Sequence, residues 1–241
     1  MSTLDVRRAP DRFHTRTGWL DSRHSFSFST HYDPDNTGFG LLLVSNDDRV
    51  SPGTGFTTHP HRDMEIVTWV LDGELEHKDS QGNAGVIYPG LAQRMSAGTG
   101  IWHSEMNPRG DTPVHFVQMW VLPDTERIDP GYEQLDVNAQ LERGGLVPVA
   151  SGRGHDSAIS IRQRGAALYA GRLRGGETVQ IPDARYVHVF VARGSAALEG
   201  AGELREGDAV RLTAAGAPSL VAGPEGAEVL VWEMDEERSI W

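Results

Sequence analysis

The sequence predicts an all-β protein built from two similar β-barrels in tandem. Glycine and proline, 28 and 13 residues respectively, recur every few positions along the 241-residue chain. The segments between them, such as residues 66–71, 114–122 and 186–192, are short and rich in β-branched and aromatic side chains. Many short strands separated by turn residues are typical of a β-sandwich or a β-barrel.

The first clear strand pattern lies between Trp19 and Phe28. Because side chains alternate along a strand, His24, Phe26 and Phe28 project to one face and the intervening serines to the other. This alternation predicts a half-buried strand. We therefore expect His24 to be a packed or hydrogen-bonded histidine and not a metal ligand.

The two halves of the chain repeat one pattern of strand, tight turn, polar excursion, glycine-led turn and strand. Aligned on that pattern, Gly73 matches Gly194 and Gly90 matches Gly207, and a later Ala-Gly pair also recurs. The offset is about half the chain, so the repeat predicts two barrels of similar design.

The repeat divides the chain into three parts. We expect an N-terminal barrel with a metal site over residues 1–125, a connecting segment over 126–155, and a C-terminal barrel without metal over 156–241. The connecting segment is rich in proline, glycine and charge, which is typical of a linker. One short helix is expected within residues 132–142.

Composition excludes several classes of function. The 22 basic and 34 acidic residues give a formal net charge of −12, which argues against direct nucleic-acid binding. The absence of cysteine excludes disulfides, thiolate metal sites and cysteine nucleophiles. No apolar run approaches the length of a membrane span, and the N-terminus lacks the apolar core of a signal peptide. A cytoplasmic protein without a membrane partner is expected.

Histidines are concentrated in the first half of the chain, which holds eight of the ten. His59 and His61 have i, i+2 spacing, as have His103 and Glu105, so each pair projects from one face of a strand. If the two strands are neighbours inside a barrel, three imidazoles and one carboxylate converge. This donor set suits a divalent Fe, Mn, Co, Ni, Cu or Zn ion and leaves coordination positions open.

Other residues compete for a place in this site. Glu65 has the same strand parity as His59 and His61, so it is either the metal-binding carboxylate or a partner of a ligand imidazole. We interpret His77 as a turn histidine and His115 as a core residue, although His115 is also placed to line a pocket. Phe56, Trp69 and Trp102 are candidates for the barrel mouth.

The repeat predicts a single metal. At the positions equivalent to the ligand candidates, the second half carries Gln180, Pro182, Val221 and Gly223, and none of these residues can replace its counterpart. The metal site is therefore expected in the N-terminal barrel only.

The two histidine motifs resemble those of the cupin superfamily. The first keeps Gly-x5-His-x-His-x3-Glu with one extra residue before Gly73, and the second keeps His103-x3-Asn107 with two extra residues before the histidine. More narrowly, the sequence resembles the pirin family of bicupins, above all its bacterial members, in four strings, which are 18–28, 58–65, 77–83 and 96–105.

The resemblance implies two tandem cupin barrels of the double-stranded β-helix, or jelly-roll, type. It implies one metal ion held by His59, His61, His103 and Glu105, and so favours Glu105 over Glu65. We expect Fe(II) in preference to Ni, Mn, Co, Cu or Zn. The implied activity is that of a quercetin 2,3-dioxygenase, which cleaves a flavonol ring with dioxygen and releases carbon monoxide, with Glu105 as the catalytic base.

The same resemblance leaves a second function open. Family members are also described as metal- and redox-dependent regulatory proteins that bind a transcription factor or a metabolic enzyme. A protein partner is therefore a possible alternative to the flavonol substrate. A metal-dependent isomerase or sugar-modifying cupin fits the ligands but not the pirin-like strings.

Overall fold

The computed structural model describes residues 2–237, which are almost entirely strand, turn and loop. Its helical elements are a 3-10 helix at Ala9–Asp11 and α1 at Asn138–Leu141. The strands are β1 Thr3–Arg7, β2 Phe13–Arg16, β3 Leu20–His24, β4 Leu42–Val50, β5 Gly55–His61, β6 Glu65–Asp72, β7 Leu75–Asp79, β8 Ala84–Ile87, β9 Leu91–Ser96, β10 Ile101–Met106, β11 Val114–Val121, β12 Gly131–Asp136, β13 Val147–Ser151, β14 Ile159–Ser160, β15 Ala166–Leu173, β16 Thr178–Gln180, β17 Tyr186–Leu198, β18 Gly202–Arg205, β19 Ala209–Thr213 and β20 Ser219–Met234.

Three sheets form two lobes. A seven-stranded sheet of order β12-β9-β6-β11-β4-β3-β2 and a four-stranded sheet of order β5-β10-β7-β8 make up what we call the N-terminal lobe. A nine-stranded sheet makes up the C-terminal lobe, with β1-β19-β17-β20-β15-β13-β14 as its main path. The expected all-β class is confirmed.

The segments at either end of the N-terminal lobe cross between the lobes. β1 pairs antiparallel with β19, so the first described strand belongs to the C-terminal sheet. Within the expected connecting segment, β12 pairs with β9 of the N-terminal lobe and β13 with β15 of the C-terminal lobe. The expected helix within 132–142 is α1, one turn long, and the residues before it form β12. The division at 125 and 156 stays a prediction.

The repeated glycines occupy equivalent turns. Gly73 and Gly194 both have positive φ, at 77° and 72°, and Gly90 and Gly207 have φ of 87° and 85°. Only glycine adopts this region without steric cost. A Cβ atom on Gly73 would also lie 2.8 Å from the carbonyl oxygen of Pro113, so both the turn and the close packing require glycine there.

A buried apolar core joins the two lobes. Its largest side chains, Trp69 from β6 and Trp232 from β20, are almost completely buried in one continuous cluster. The indole Nε1 of Trp69 donates a hydrogen bond to Oε1 of Glu228 at 2.8 Å. The expectation that Trp69 lines the barrel mouth is therefore wrong, because this side chain lies between the lobes.

A buried charge cluster also links the lobes. Nη2 of Arg12 donates to Oδ2 of Asp47 at 2.9 Å, and Nε2 of His115 lies 2.6 Å from Oδ1 of the same carboxylate. The Arg12 guanidinium packs 5.3 Å from the ring centroid of Phe190 in the C-terminal lobe. The interpretation of His115 as a core residue is confirmed, and its partner is Asp47.

The structure also confirms the interpretation of His24, which is buried on β3 and lies 2.9 Å through Nδ1 from Oδ1 of Asn46. The strand ends at His24, earlier than the alternation predicts. Within residues 2–237, no helix has the length and apolar character that a membrane crossing requires.

Candidate metal centre

The four-stranded sheet brings together the histidines that the motifs single out. β10 lies in the middle of three strands, with β5 on one side and β7 on the other. His103 is directly opposite His59 on β5 and opposite Asp79 on β7, while Glu105 is opposite His77. This antiparallel register places the i, i+2 pairs of three strands on one inward face.

His59, His61 and His103 form a compact cluster. The ring centroids of His59 and His103 are 4.4 Å apart, and each lies 4.9 Å from the ring centroid of His61. One ring nitrogen from each residue lies within 4.8 Å of the other two. The expected convergence of the three imidazoles is thus present in the structure.

Nε2 is the nitrogen of each ring that is available to bind a metal ion. Nδ1 of His59 donates to the carbonyl oxygen of Thr57 at 2.8 Å, which leaves Nε2 as the lone-pair nitrogen. Nε2 of His61 and Nε2 of His103 are buried and have no hydrogen-bond partner. Buried polar atoms without partners are costly, and a metal ion would satisfy both.

The electrostatic environment keeps the imidazoles of His61 and His103 neutral. Burial lowers the pKa of His61 to about 4, with His59 contributing in the same direction. Burial lowers the pKa of His103 to about 2, assisted by the neighbouring His59, His61 and His77. Since neutral imidazole is the form that binds metals, the cluster fits a borderline divalent ion.

Glu105 is buried beside His103. Its carboxyl lies in a group with His77 and His103, in which the candidate ligand atoms are within 4.8 Å of one another. Nε2 of Gln118 is 2.8 Å from each carboxyl oxygen. Burial raises the pKa of Glu105 to about 7, against the hydrogen bonds from Gln118 and Thr68. A cation at the cluster would favour the carboxylate form.

Glu65 faces a different part of the molecule. Its Oε2 accepts hydrogen bonds from Oγ of Ser96 at 2.9 Å and from the backbone nitrogen of Arg162 at 3.0 Å. Nε of Arg94 lies 4.0 Å from the same oxygen. Glu65 therefore joins the N-terminal lobe to the segment that leads into β15, and it is not among the residues grouped around the histidines.

His77 is part of the inward face, which the interpretation as a turn histidine missed. It lies on β7, is fully buried, and its ring centroid is 5.2 Å from that of His103. A signal was present in the sequence, because Leu75, His77 and Asp79 alternate on one face before the Gly82 turn.

Aromatic side chains surround the cluster. The indole of Trp120 lies edge-on to His61 with centroids 4.9 Å apart, and its Nε1 donates to Oε1 of Gln118 at 3.1 Å. Phe56 contacts the cluster at 6.4 Å from the His59 ring, and Trp102 on β10 is 54% exposed. The sequence analysis did not single out Trp120, although its ring lies closer to His61 than the ring of Phe56 lies to His59.

The two glutamates can be distinguished experimentally. We expect Glu65→Gln to keep nickel(II) binding while lowering the free energy of unfolding by about 1–3 kcal/mol. The amide oxygen can keep the bonds from Ser96 and Arg162, but the NH2 group is then buried at the position of Oε1, which has no partner. Glu105→Gln should weaken nickel(II) binding by at least about 10-fold, the lower end for changes around a metal. Calorimetric titration measures nickel(II) binding, and urea unfolding measures the free energy of unfolding. Loss of nickel binding in Glu65→Gln alone would contradict the assignment.

Two jelly-roll-like lobes in tandem, one of which surrounds a histidine cluster, define the class of the bicupins. Residues 6–121 match the family model described as Pirin, and residues 148–234 match that of the quercetinase C-terminal cupin domain. The chain belongs to the pirin family.

Bacterial relatives align with most of the chain. A Mycobacterium tuberculosis protein is 60% identical over 97% of this chain and 96% of its own length. The quercetin 2,3-dioxygenase of Escherichia coli K12 is 42% identical over 81% of this chain and 84% of its own. The crystal structure of the bacterial pirin YhhW from Escherichia coli in complex with nickel(II) has a TM-score of 0.89 and 37% identity, covering 97% of this chain and 100% of that chain.

Proposed function

We propose that this protein is a metal-dependent dioxygenase that cleaves the ring of a quercetin-type flavonol with dioxygen. One observation carries the proposal. Two buried imidazole nitrogens, Nε2 of His61 and Nε2 of His103, have no protein partner and lie in a three-histidine cluster. The family, and a relative named quercetin 2,3-dioxygenase, support the choice of reaction.

The proposed ligands are His59, His61, His103 and Glu105. Three neutral nitrogens and one carboxylate are a donor set for Fe(II), which we favour, and for Ni, Mn, Co, Cu or Zn. When bound, the metal supplies Lewis acidity and open coordination positions at which an aromatic alcohol and dioxygen can react. The similarity to YhhW, whose crystal structure is a complex with nickel(II), supports a bound transition metal.

Glu105 is the proposed catalytic base. One of its carboxylate oxygens would accept the proton of the flavonol 3-hydroxyl, because a flavonolate is more electron-rich than the neutral flavonol and reacts more readily with dioxygen. The amide of Gln118, 2.8 Å from both oxygens, restrains the carboxyl group. Trp120 in turn donates to Gln118 and so fixes the orientation of that amide.

The aromatic side chains near the cluster are proposed to hold the planar substrate and exclude water. Trp120 lies against His61 and in edge contact with Phe28, with ring centroids 5.7 Å apart. Trp102 presents an exposed indole from β10, the strand that carries His103 and Glu105. Exclusion of water protects a reactive intermediate from hydrolysis and proton leakage.

The test is oxygen uptake by the protein loaded with one metal at a time. Chelator-stripped protein should be inactive, and reloading with Fe(II) or nickel(II) should restore consumption of quercetin with release of carbon monoxide. A flavone that lacks only the 3-hydroxyl is the matched control and should not react. Equal turnover by stripped and loaded protein would refute the proposal.

Loaded protein that bound metal stoichiometrically but turned over no flavonol would favour the regulatory alternative. A cytoplasmic location and the absence of direct nucleic-acid binding stay predictions from composition.

A further inference from the structure

A chain of three buried side chains leads from a surface turn to the histidine cluster. Oδ2 of Asp79 lies 3.2 Å from Nε2 of His77. Nδ1 of His77 lies 3.4 Å from Nδ1 of His103, and the other ring nitrogen of His103 has no partner. His77 and Asp79 are not among the proposed ligands or catalytic groups.

The donor and acceptor roles along these contacts can be assigned from Asp79, whose carboxylate acts only as an acceptor. Its Oδ1 accepts from the backbone nitrogens of Gln81 and Asn83 at 2.9 and 3.0 Å. Its Oδ2 accepts from Nδ2 of Asn83 at 2.9 Å. A carboxyl group with this many donors around it is an ionised carboxylate, so the contact with His77 must be donated by Nε2–H of His77.

This assignment for Asp79 determines which ring nitrogens of His77 and His103 carry a proton. A neutral His77 that carries its hydrogen on Nε2 presents a lone pair at Nδ1. The contact with His103 is then donated by Nδ1–H of His103, which leaves its Nε2 with the lone pair. The buried, unpartnered Nε2 of His103 independently supports this result, because an N–H at that position would be a buried donor without an acceptor.

We propose that Asp79 and His77 are positioning residues that fix His103 as the Nδ1–H tautomer, with the lone pair of Nε2 directed to the metal site. The inference rests on His103 being a metal ligand in the proposed function, but not on the identity of the substrate. Partners of this kind orient a ligand imidazole and increase its basicity.

The surroundings hold the chain rigidly. The Tyr132 ring packs on His77 at 4.9 Å between centroids, with an interplanar angle of 32°. The turn after Asp79 is closed by the bond from its backbone nitrogen to the carbonyl of Asn83 and by Gly82 at a φ of 89°. The position of Asp79 is therefore set by its own turn and does not depend on the contact with His77.

Substitution of Asp79 by asparagine should reverse the tautomer. The backbone donors of Gln81 and Asn83 require an oxygen at the Oδ1 position, so the amide nitrogen of Asp79→Asn would face Nε2 of His77. The side-chain amide of Asn83, which donates to Oδ2 in the wild type, would turn over and offer its oxygen to the new NH2 group. His77 would then donate from Nδ1, and His103 would carry its proton on Nε2, the proposed metal-binding atom. The fold is expected to remain intact.

Substitutions of His77 separate hydrogen bonding from packing. In His77→Asn the amide oxygen can take the place of Nδ1 as the acceptor, whereas His77→Leu fills similar space without one. We expect His77→Leu to weaken nickel(II) binding by about 10–100-fold, with His77→Asn closer to wild type. His14→Leu is the matched control, since His14 also pairs with an aspartate, Asp21, at 3.0 Å but on the surface.

The experiment combines two readouts on the full chain. Histidine ¹⁵N NMR of the metal-free protein reports which nitrogen of His103 is protonated, and calorimetry with nickel(II) alone reports affinity. We expect His103 to carry its proton on Nδ1 in the wild type and on Nε2 in Asp79→Asn. The nickel(II) affinity of His77→Asn should be close to that of the wild type, and that of His77→Leu should be lower. Thermal unfolding confirms that each variant folds.

Three results would overturn the proposal: Nε2–H in the wild-type protein, wild-type tautomer and affinity in Asp79→Asn, or equal weakening in His77→Asn and His77→Leu. None of these depends on flavonol turnover. A protein that passed these tests but failed to oxidise flavonols would contradict the proposed function alone.

Discussion

His61→Ala is expected to remove both metal binding and flavonol turnover. Within the three-histidine cluster, His61 contributes one of the two buried ring nitrogens that have no protein partner, so its loss takes one ligand from the proposed set. Because changes in groups that only support a ligand already cost about 10–100-fold, we expect nickel(II) affinity to fall by at least about 100-fold. Calorimetric titration measures the affinity, and oxygen uptake with quercetin measures the turnover.

Chemical rescue of His61→Ala is a more specific test of ligation than the loss of nickel(II) affinity. Free imidazole should enter the space beside Trp120 and restore part of the nickel(II) binding. His14→Ala, which removes an imidazole paired with Asp21 away from the cluster, should bind nickel(II) as the wild type does. Stoichiometric nickel(II) in His61→Ala at wild-type affinity would show that His61 is not a ligand.

Asp47→Asn is expected to have the largest effect on stability. Asp47 is the common partner of Arg12 and His115, and all three side chains are buried. The amide keeps the volume of the carboxylate but leaves the Arg12 guanidinium buried without its counter-charge. Breaking a buried pair in this way costs about 3–5 kcal/mol of unfolding free energy, which urea unfolding can measure.

The effect of Asp47 depends on pH in a defined direction. Burial raises its pKa, but the hydrogen bonds and charges of His115 and Arg12 outweigh burial and lower the pKa to about 2. A carboxyl with a depressed folded pKa stabilises the fold above its unfolded pKa and loses that contribution as the pH falls through the folded value. The difference between wild type and Asp47→Asn should therefore shrink as the pH falls toward about 2.

Asp21→Asn provides the comparison for Asp47→Asn. Asp21 pairs with His14 on the surface, where an ion pair contributes less than about 1 kcal/mol. Equal destabilisation by the two substitutions would mean that burial of the Arg12 cluster adds nothing to stability.

The sequence predicted correctly those features that depend on neighbouring residues in the chain. The alternation of side chains along a strand put His59 with His61 and His103 with Glu105, and the structure places the three histidines together. Glycines matched by the repeat share their positive φ values because a tight turn imposes the same steric demand in both halves. The pairing within each strand and the glycine turns needed no knowledge of which strands are neighbours, whereas the convergence of the two pairs was predicted on the condition that their strands are adjacent.

The errors came from contacts between distant segments. Trp69 has the strand pattern of a pocket aromatic, but its indole contacts Glu228 across the lobe interface. The spacing of Glu65 left its role open, and the structure shows that it accepts a hydrogen bond from Arg162 across the same interface. The alternation of residues 75–79 is enough to place His77 on a strand, but nothing in the sequence indicates that β7 lies beside β10. Sheet order arises from tertiary packing, which one-dimensional periodicity does not encode.

The pairing of β1 with β19 has a consequence for biogenesis. β1 and its partner β19, joined through pairs such as Thr3 with Thr213, are separated in the sequence by nearly all the other strands of the two lobes. During synthesis this edge of the C-terminal sheet therefore closes only after β19 has been made, long after β1. Such distant pairing slows folding and leaves a strand edge exposed to other chains while it waits.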